Sequence, residues 1–430
     1  MDWRDSGCRY RRPSARDPLD NITHTLVGVL VGEAFAQRSP QRGALLTLMA
    51  VGSNLPDADL LYSSLSGNKL DYLLEHRGYT HTVVGALAVG VLSYLVCMLV
   101  LRRRHIEASS ADRRALLAAA LFAPLLHLAM DATNSYGVHP FWPFDDRWFY
   151  GDAVFIVEPL IWASCAPLVF VLRSLLARIL VTLVLLGGVL LSVGSGLVRA
   201  PNTALLCLLT LALLGLGYRA PARTAVAAGI AIWLAVTAVF LAAGHLAARR
   251  VDTLAARTFP QGTMIDHALT PMAEDPLCWE LILMQLEGGA FTLREATLSL
   301  APASVPATSC RRRRIGQATL APLVPVVGAA SSPAITWQGQ VSFAPTVLAS
   351  LAARNCAAAA LLRFARAPWV SPRGPRWLMG DLRFGGGSPG RLGMAELELP
   401  GRDACPRHVP PWRPPREDIL GSAAAEVAPP

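Results

Sequence analysis

Four runs along the chain carry little or no charge and are long enough to cross a bilayer: Val83 to Leu101, Ile179 to Val198, Ala200 to Tyr218 and Thr224 to Gly244. A span needs ~20 apolar residues, or slightly fewer where the ends snorkel. Ala115 to Met130 and Ala153 to Leu172 are further candidate spans, carrying His127 and Glu158 respectively. His24 to Gln37 and Gly43 to Ser53 are too short to span alone, and are expected to insert halfway or to pack against the others. Past Arg249 the texture changes. Trp279 to Leu286 and Ala290 to Leu300 flank Gly288-Gly289, which predicts a hairpin. Ala334 to Phe343, Trp369 to Ser371 and Trp377 to Phe384 also read as strands, and from about Pro406 the chain is rich in Pro and Ala.

The pattern predicts a mainly α protein: a polytopic membrane helical bundle with a small C-terminal β-rich extramembrane domain. Residues 1–19, polar and arginine-rich, read as a disordered extension without the apolar core of a signal peptide, or as sequence ahead of a true start near Leu19. Residues 20–172 form a motif-rich helical unit, 173–248 add plain membrane helices, 249–405 form the β-rich domain, and 406–430 read as a disordered tail.

Composition supports an integral membrane protein: 53% of residues are hydrophobic, 16% are charged, and mean hydropathy is +0.40. The net charge of +9 rests almost wholly on arginine, since Lys69 is the single lysine. These arginines sit in short loops, which fits the positive-inside rule better than nucleic-acid binding. Arg38 and Arg42, then Arg102 to Arg104 with Arg113 and Arg114, then Arg173 and Arg178, then Arg219 and Arg223 mark successive loops. If those loops are cytoplasmic, the 249–405 domain is periplasmic, although Arg249, Arg250 and the basic N-terminus oppose this orientation. Cys278, Cys310, Cys356 and Cys405 could then form two disulfides in an oxidising compartment, with three connectivities open. Cys97, Cys165 and Cys207 lie in apolar runs and read as packing residues.

The loop charges also order the chemistry. His24 opens its segment, Asp57 and Asp59 close the next, His76 and His81 precede the third, and His127 with Asp131 close the fourth. One alternation of helices therefore brings all of them to the membrane face opposite the arginine loops. His127 and Asp131, four apart on a helix, point from one face. His76 and His81 are five apart and would diverge on a continuous helix, so Gly78 is expected to break the chain between them. Pro56 ends the second segment and leaves Asp57 and Asp59 in a turn. Singly, each has a bland reading as a cap, a turn or a paired histidine. Gathered, imidazoles and carboxylates are the usual ligands of zinc and related divalent ions, and one or two ions are expected. Arg77 could clamp an anionic phosphate oxygen or form a salt bridge. Asp152 and Glu158 could orient ligands or act as base. His139 is intermediate, whereas His105, His245, His267 and His408 are isolated.

The stretches DNITHTLVG, GSNLPDAD, HRGYTHT, LLHLAMDATNSYG and PFWPFDDRWFYGDAVFIVEP resemble the YdjM/YbcI-like inner-membrane proteins, described as predicted membrane-bound metal-dependent hydrolases. ALTPMAEDPLCWE and RWLMGDLRFG extend the resemblance over most of the chain beyond residue 19. It implies a helical core distantly similar to the zinc-dependent phospholipase C and P1-nuclease group, whose ligands run His, Asp, His, then His-x-x-x-Asp. His24, Asp57, His76 or His81, and His127 with Asp131 match that order. The group's later His and His-x-x-x-Glu ligands have no match, so one or two ions are expected rather than three.

The reading is a multi-pass inner-membrane hydrolase acting by metal-activated water on phosphoesters of lipids or membrane-proximal small molecules. Its expected partners are the bilayer and that substrate, with no nucleic acid. Two rivals stand beside it. An ion transporter would place ionisable residues at mid-membrane, whereas these lie at helix ends. A non-catalytic protein with a structural metal site would use the same ligands.

Overall fold

The computed structural model describes residues 19–61, 69–310, 321–384, 393–398, 405–406 and 408–420. The extension expected before Leu19 and the last ten residues lie outside these. Helix α1 (Leu19–Ala36) pairs with α2 (Arg42–Gly52), a short α3 (Lys69–Glu75) follows, and α4 (Val83–Arg103) pairs with α5 (Ser110–Asp131). Then come α6 (Pro159–Ser164), α7 (Leu168–Val171), α8 (Leu175–Gly194), α9 (Ala200–Arg219) and α10 (Ala222–Thr258). Among the described residues five helices, α4, α5, α8, α9 and α10, are long and apolar enough to cross a membrane.

The expected span from Ala153 to Leu172 is instead the broken pair α6 and α7. Pro167, with no N–H to donate, sits at the break. The pair is sheltered by α1, α8, α9 and α10. Trp162 Nε1 donates to Thr23 Oγ1 at 2.8 Å, tying α6 to α1. At the far end, Arg42 is not a solvated loop charge. Its guanidinium pairs with Glu33 at 2.5 Å and donates to the Val171 carbonyl at 3.2 Å, so both charges are satisfied inside the bundle.

Helix α10 runs for 37 residues, ~55 Å at 1.5 Å per residue. That exceeds a ~30 Å hydrocarbon core, so its last turns stand clear and carry the C-terminal domain. Arg249 and Arg250, which opposed the expected orientation, belong to those turns, and Arg250 donates to the Ser299 carbonyl at 2.9 Å.

Strands β1 (Thr263–Met272), β2 (Asp275–Glu287), β3 (Ala290–Ser299) and β4 (Ile335–Phe343) form an antiparallel meander. The β2–β3 turn uses Gly288 and Gly289 at φ +56° and +81°, as the sequence predicted for a two-residue hairpin. A second sheet holds β5 (Pro368–Arg373), β6 (Arg376–Asp381) and β7 (Met394–Glu398). Helices α11 (Pro345–Arg354) and α12 (Cys356–Leu362), unforeseen in the pattern, pack between the second sheet and α3. Disulfides Cys278–Cys310 and Cys356–Cys405 select one of the three possible connectivities. The stretch after Pro406, expected to be disordered, is held down through residue 420: Trp412 is 1% exposed, and a last turn α13 (Glu417–Leu420) follows.

The C-terminal domain grips the bundle by buried polar contacts. At the β1–β2 turn the Glu274 amide donates to Glu158 Oε2 at 3.0 Å, the Ser192 hydroxyl donates to Glu274 Oε2 at 3.0 Å, and Arg199 pairs with Asp275 at 2.6 Å. Arg366 bridges Asp152 at 2.8 Å and Asp266 at 2.8 Å. Burial pushes the Glu274 carboxyl up to about 7, with the Ser192 hydroxyl pulling the other way. A carboxyl raised on folding stabilises most below its unfolded pKa, and that contribution is lost as pH rises through the folded value. The wild-type Tm in detergent, taken relative to Glu274→Gln, should therefore fall between about pH 4.5 and 7 and stay level above that. A flat difference across the window would show that Glu274 does not titrate there.

Candidate metal centre

The NITHT motif splits its work. Thr23 accepts the Trp162 indole, Thr25 Oγ1 accepts from Asn54 Nδ2 at 2.8 Å, and His24 between them stacks on His127 with ring centroids 3.9 Å apart. The two threonines tether α1 to its neighbours, so the imidazole enters the bundle at a fixed height. His24 Nε2 lies 3.3 Å from Asp131 Oδ1.

After α2, Pro56 opens a 3₁₀ turn, Pro56–Ala58, that turns Asp57 inward. In HRGYTH the chain does break between the histidines, and the left-handed residue is Arg77 at φ +62° rather than Gly78. Gly78 serves close approach instead, because a Cβ there would lie 2.6 Å from the Glu75 carbonyl oxygen. A second 3₁₀ turn, Tyr79–His81, ends at Thr82, whose hydroxyl caps α4 by accepting from the Gly85 amide.

These turns bring four atoms together. His81 Nε2 is 3.0 Å from His127 Nε2, 3.2 Å from Asp57 Oδ1 and 3.4 Å from Asp131 Oδ2. His127 Nε2 is 3.5 Å from Asp57 Oδ1 and 3.4 Å from Asp131 Oδ2. The other ring nitrogens fix the tautomers. His127 Nδ1 donates to the Ser53 carbonyl at 2.7 Å, and His81 Nδ1 faces Asp59 Oδ2 at 3.1 Å. Both Nε2 atoms are thus left with lone pairs, aimed at one another and at two carboxylate oxygens. Four acceptors converging in a buried space need a cation or a proton among them.

The donor set fits a divalent ion. Ligands at 2.0–2.1 Å around a tetrahedral ion are ~3.3 Å from one another, and His81 Nε2, His127 Nε2 and Asp57 Oδ1 stand 3.0, 3.2 and 3.5 Å apart. Charge agrees: Asp57, Asp59 and Asp131 bring three negative charges, Arg77 brings one positive, and neutral imidazoles leave two unbalanced. A proton on His81 offsets one of these. Burial pulls that imidazole down, but hydrogen bonds to Asp131, Asp57 and Asp59 outweigh it and hold the ring well above its ordinary range. Burial likewise pushes Asp57 and Asp59 up, and the surrounding histidines bring both below the usual carboxylate range. Three groups could hold an ion: Asp57 with His81 and His127, His24 with His127 and Asp131, and His76 with Asp57 and Asp59.

Asp59 also orients its neighbours. Besides His81 Nδ1 it accepts from the Arg77 amide at 3.1 Å and the Thr80 hydroxyl at 3.0 Å, and it faces His76 Nδ1 at 3.3 Å. This is the carboxylate–histidine pairing that usually stands behind a metal.

Of the two readings of Arg77 the salt bridge is the one seen: 1% exposed, it pairs with Asp131 Oδ1 at 2.9 Å and donates to Asn134 Oδ1 at 2.8 Å. Three other expectations are corrected. Asp152 is engaged by Arg366 and Glu158 by the Leu160 and Glu274 amides, so neither joins the cluster. His408 is not isolated, since its Nδ1 lies 2.9 Å from Glu75 and its Nε2 3.4 Å from the Tyr79 hydroxyl.

Other supporting residues had no sequence signal. Trp412 stacks on His139 at 4.0 Å and meets the Tyr79 ring edge-on at 5.5 Å, bracing the HRGYTH loop from behind. Burial brings the His139 imidazole down to about 3, which keeps it neutral. Arg383 donates to the Ser135 and Tyr136 carbonyls at 2.8 and 2.9 Å, next to the Asn134 that holds Arg77.

The model of the family described as YdjM inner membrane protein matches residues 19–246, more than half of the chain. The chain belongs to that family. The YdjM match takes in every residue of the cluster and stops inside α10, so Arg383, His408 and Trp412 lie beyond it. No curated protein and no solved structure matches this YdjM-family chain.

Asp59→Asn should weaken metal affinity by about 10–100-fold at unchanged stoichiometry, as expected for an orienting partner. Calorimetric titration of metal-stripped protein measures both quantities, and unchanged affinity would remove Asp59 from that role.

Proposed function

We propose that this YdjM-family protein is a metal-dependent hydrolase acting on phosphoesters of lipids or membrane-proximal molecules. The observation that carries the reading is the convergence of His81 Nε2, His127 Nε2 and Asp57 Oδ1 at separations of 3.0–3.5 Å, with Asp131 Oδ2 3.4 Å from both imidazoles. A divalent ion, zinc being the best suited to this donor set, would supply Lewis acidity there toward water and a phosphoryl oxygen. His81, His127 and Asp57 would hold it, with His24 and Asp131 on one flank and His76 and Asp59 on the other available to a second ion. Asp59 and the Ser53 carbonyl set the two imidazole tautomers, while Arg77 and Asn134 fix the Asp131 carboxylate. The less buried side of the cluster is lined by Asp59, Tyr79 and Thr80, and substrate would approach there. The loop arginines support a periplasmic centre.

One observation favours a structural metal site instead. His24, His81, His127 and Asp131 are 0–2% exposed, and structural sites are closed where catalytic ones keep an open position.

Purified wild type should hold at least one equivalent of metal, and His127→Ala and Asp57→Ala should lose most of it. A membrane-impermeant phosphodiester should be cleaved by spheroplasts, not by inverted vesicles, and detergent-solubilised protein should cleave phospholipid. Metal without hydrolysis across phosphodiesters and phospholipids would leave the structural reading. Cleavage only by inverted vesicles would reverse the orientation.

A further inference from the structure

The loop from Val138 to Tyr150 leaves three phenylalanines outside any core: Phe141 is 51% exposed, Phe144 87% and Phe149 39%. The loop is not loose. Val138 and Phe149 exchange backbone hydrogen bonds at 3.0 and 2.7 Å, and Trp142 packs on Tyr79 with centroids 4.9 Å apart. The Phe141 and Phe149 rings meet edge-on at 5.4 Å and make one apolar patch. Its tip is polar, where Arg147 pairs with Asp145.

The position of the patch identifies its occupant. The Pro140 carbonyl accepts the amide of Val83, the first residue of α4. That helix is a candidate span with only 11% of its apolar window buried by protein, and Val84, Leu87, Val91 and Leu95 run exposed down its length. The phenylalanine loop therefore continues, at the metal-centre end, a surface that must face lipid. Phenylalanines exposed beside a span suit burial at the headgroup–acyl boundary, where interfacial segments place Trp, Phe and Leu. A monomer in water rarely leaves such a contiguous patch uncovered.

We propose that Phe141, Phe144 and Phe149 insert into the lipid leaflet at the metal-centre end of the bundle, with Asp145 and Arg147 at headgroup level. The same loop contributes His139 and Trp142 against the HRGYTH segment. The insertion therefore sets the cluster at the depth of lipid headgroups. The inference does not depend on hydrolysis.

The test is photocrosslinking of the full chain in proteoliposomes of phosphatidylethanolamine and phosphatidylglycerol. Phe144→p-benzoylphenylalanine changes an exposed side chain and leaves the packed core intact. After irradiation, peptide mass spectrometry should find phospholipid adducts at position 144. It should find none with Val327→p-benzoylphenylalanine, which lies 72% exposed in the C-terminal domain. Labelling at 144 no greater than at 327, or crosslinks from 144 to protein instead of lipid, would overturn the proposal. The same adducts in an Asp57→Ala background would show that leaflet insertion survives without the metal centre. Lipid-free labelling beside intact metal binding would sink the insertion alone.

Discussion

The structure turns on a charge imbalance at the edge of an apolar bundle. Three aspartates and four histidines meet where α1, α2, α4 and α5 approach one another, and a single guanidinium, Arg77, stands among them. A carboxylate removed from water costs several kcal/mol unless a partner replaces the lost solvation. The cluster survives because every carboxylate is held by imidazoles, amides or Arg77, and because a cation can take the remaining charge. The neighbouring helices then need only be apolar, and the sequence around the motifs is that.

The C-terminal domain takes part in this arrangement. The Trp412 segment and Arg383 reach back from beyond the family match and press on the turns that carry His76, Arg77 and Asn134. The Cys356–Cys405 disulfide ties the root of the Trp412 segment to α12. A site made of turns between membrane helices has little rigidity of its own. Here, folded layers on two sides supply it: the α6–α7 pair through Thr23 and Trp162, and the C-terminal domain through Trp412 and Arg383.

Much of this was legible in the chain. Long uncharged runs gave the spans, because bilayer thickness imposes a length that composition displays. The order of His24, Asp57, His81 and His127–Asp131 against the arginine loops already places them at one end of the bundle. The break inside HRGYTH followed from helical geometry alone. The partners of Arg77, Asp152 and Glu158 were not legible for one reason: a charged residue near a cluster looks catalytic until its partner is known. Those partners, Asn134, Arg366 and Glu274, lie 57, 214 and 116 residues away. Trp412 was hidden in a Pro-rich stretch, where composition says disorder and one buried indole says otherwise.

X-ray absorption at the edge of the metal bound to purified protein tests the central claim most directly. A shell of nitrogen and oxygen at about 2.0–2.1 Å, with the outer scattering of at least two imidazoles, is the predicted result. Sulfur at about 2.3 Å, or a metal surrounded only by water-like oxygen, would contradict it.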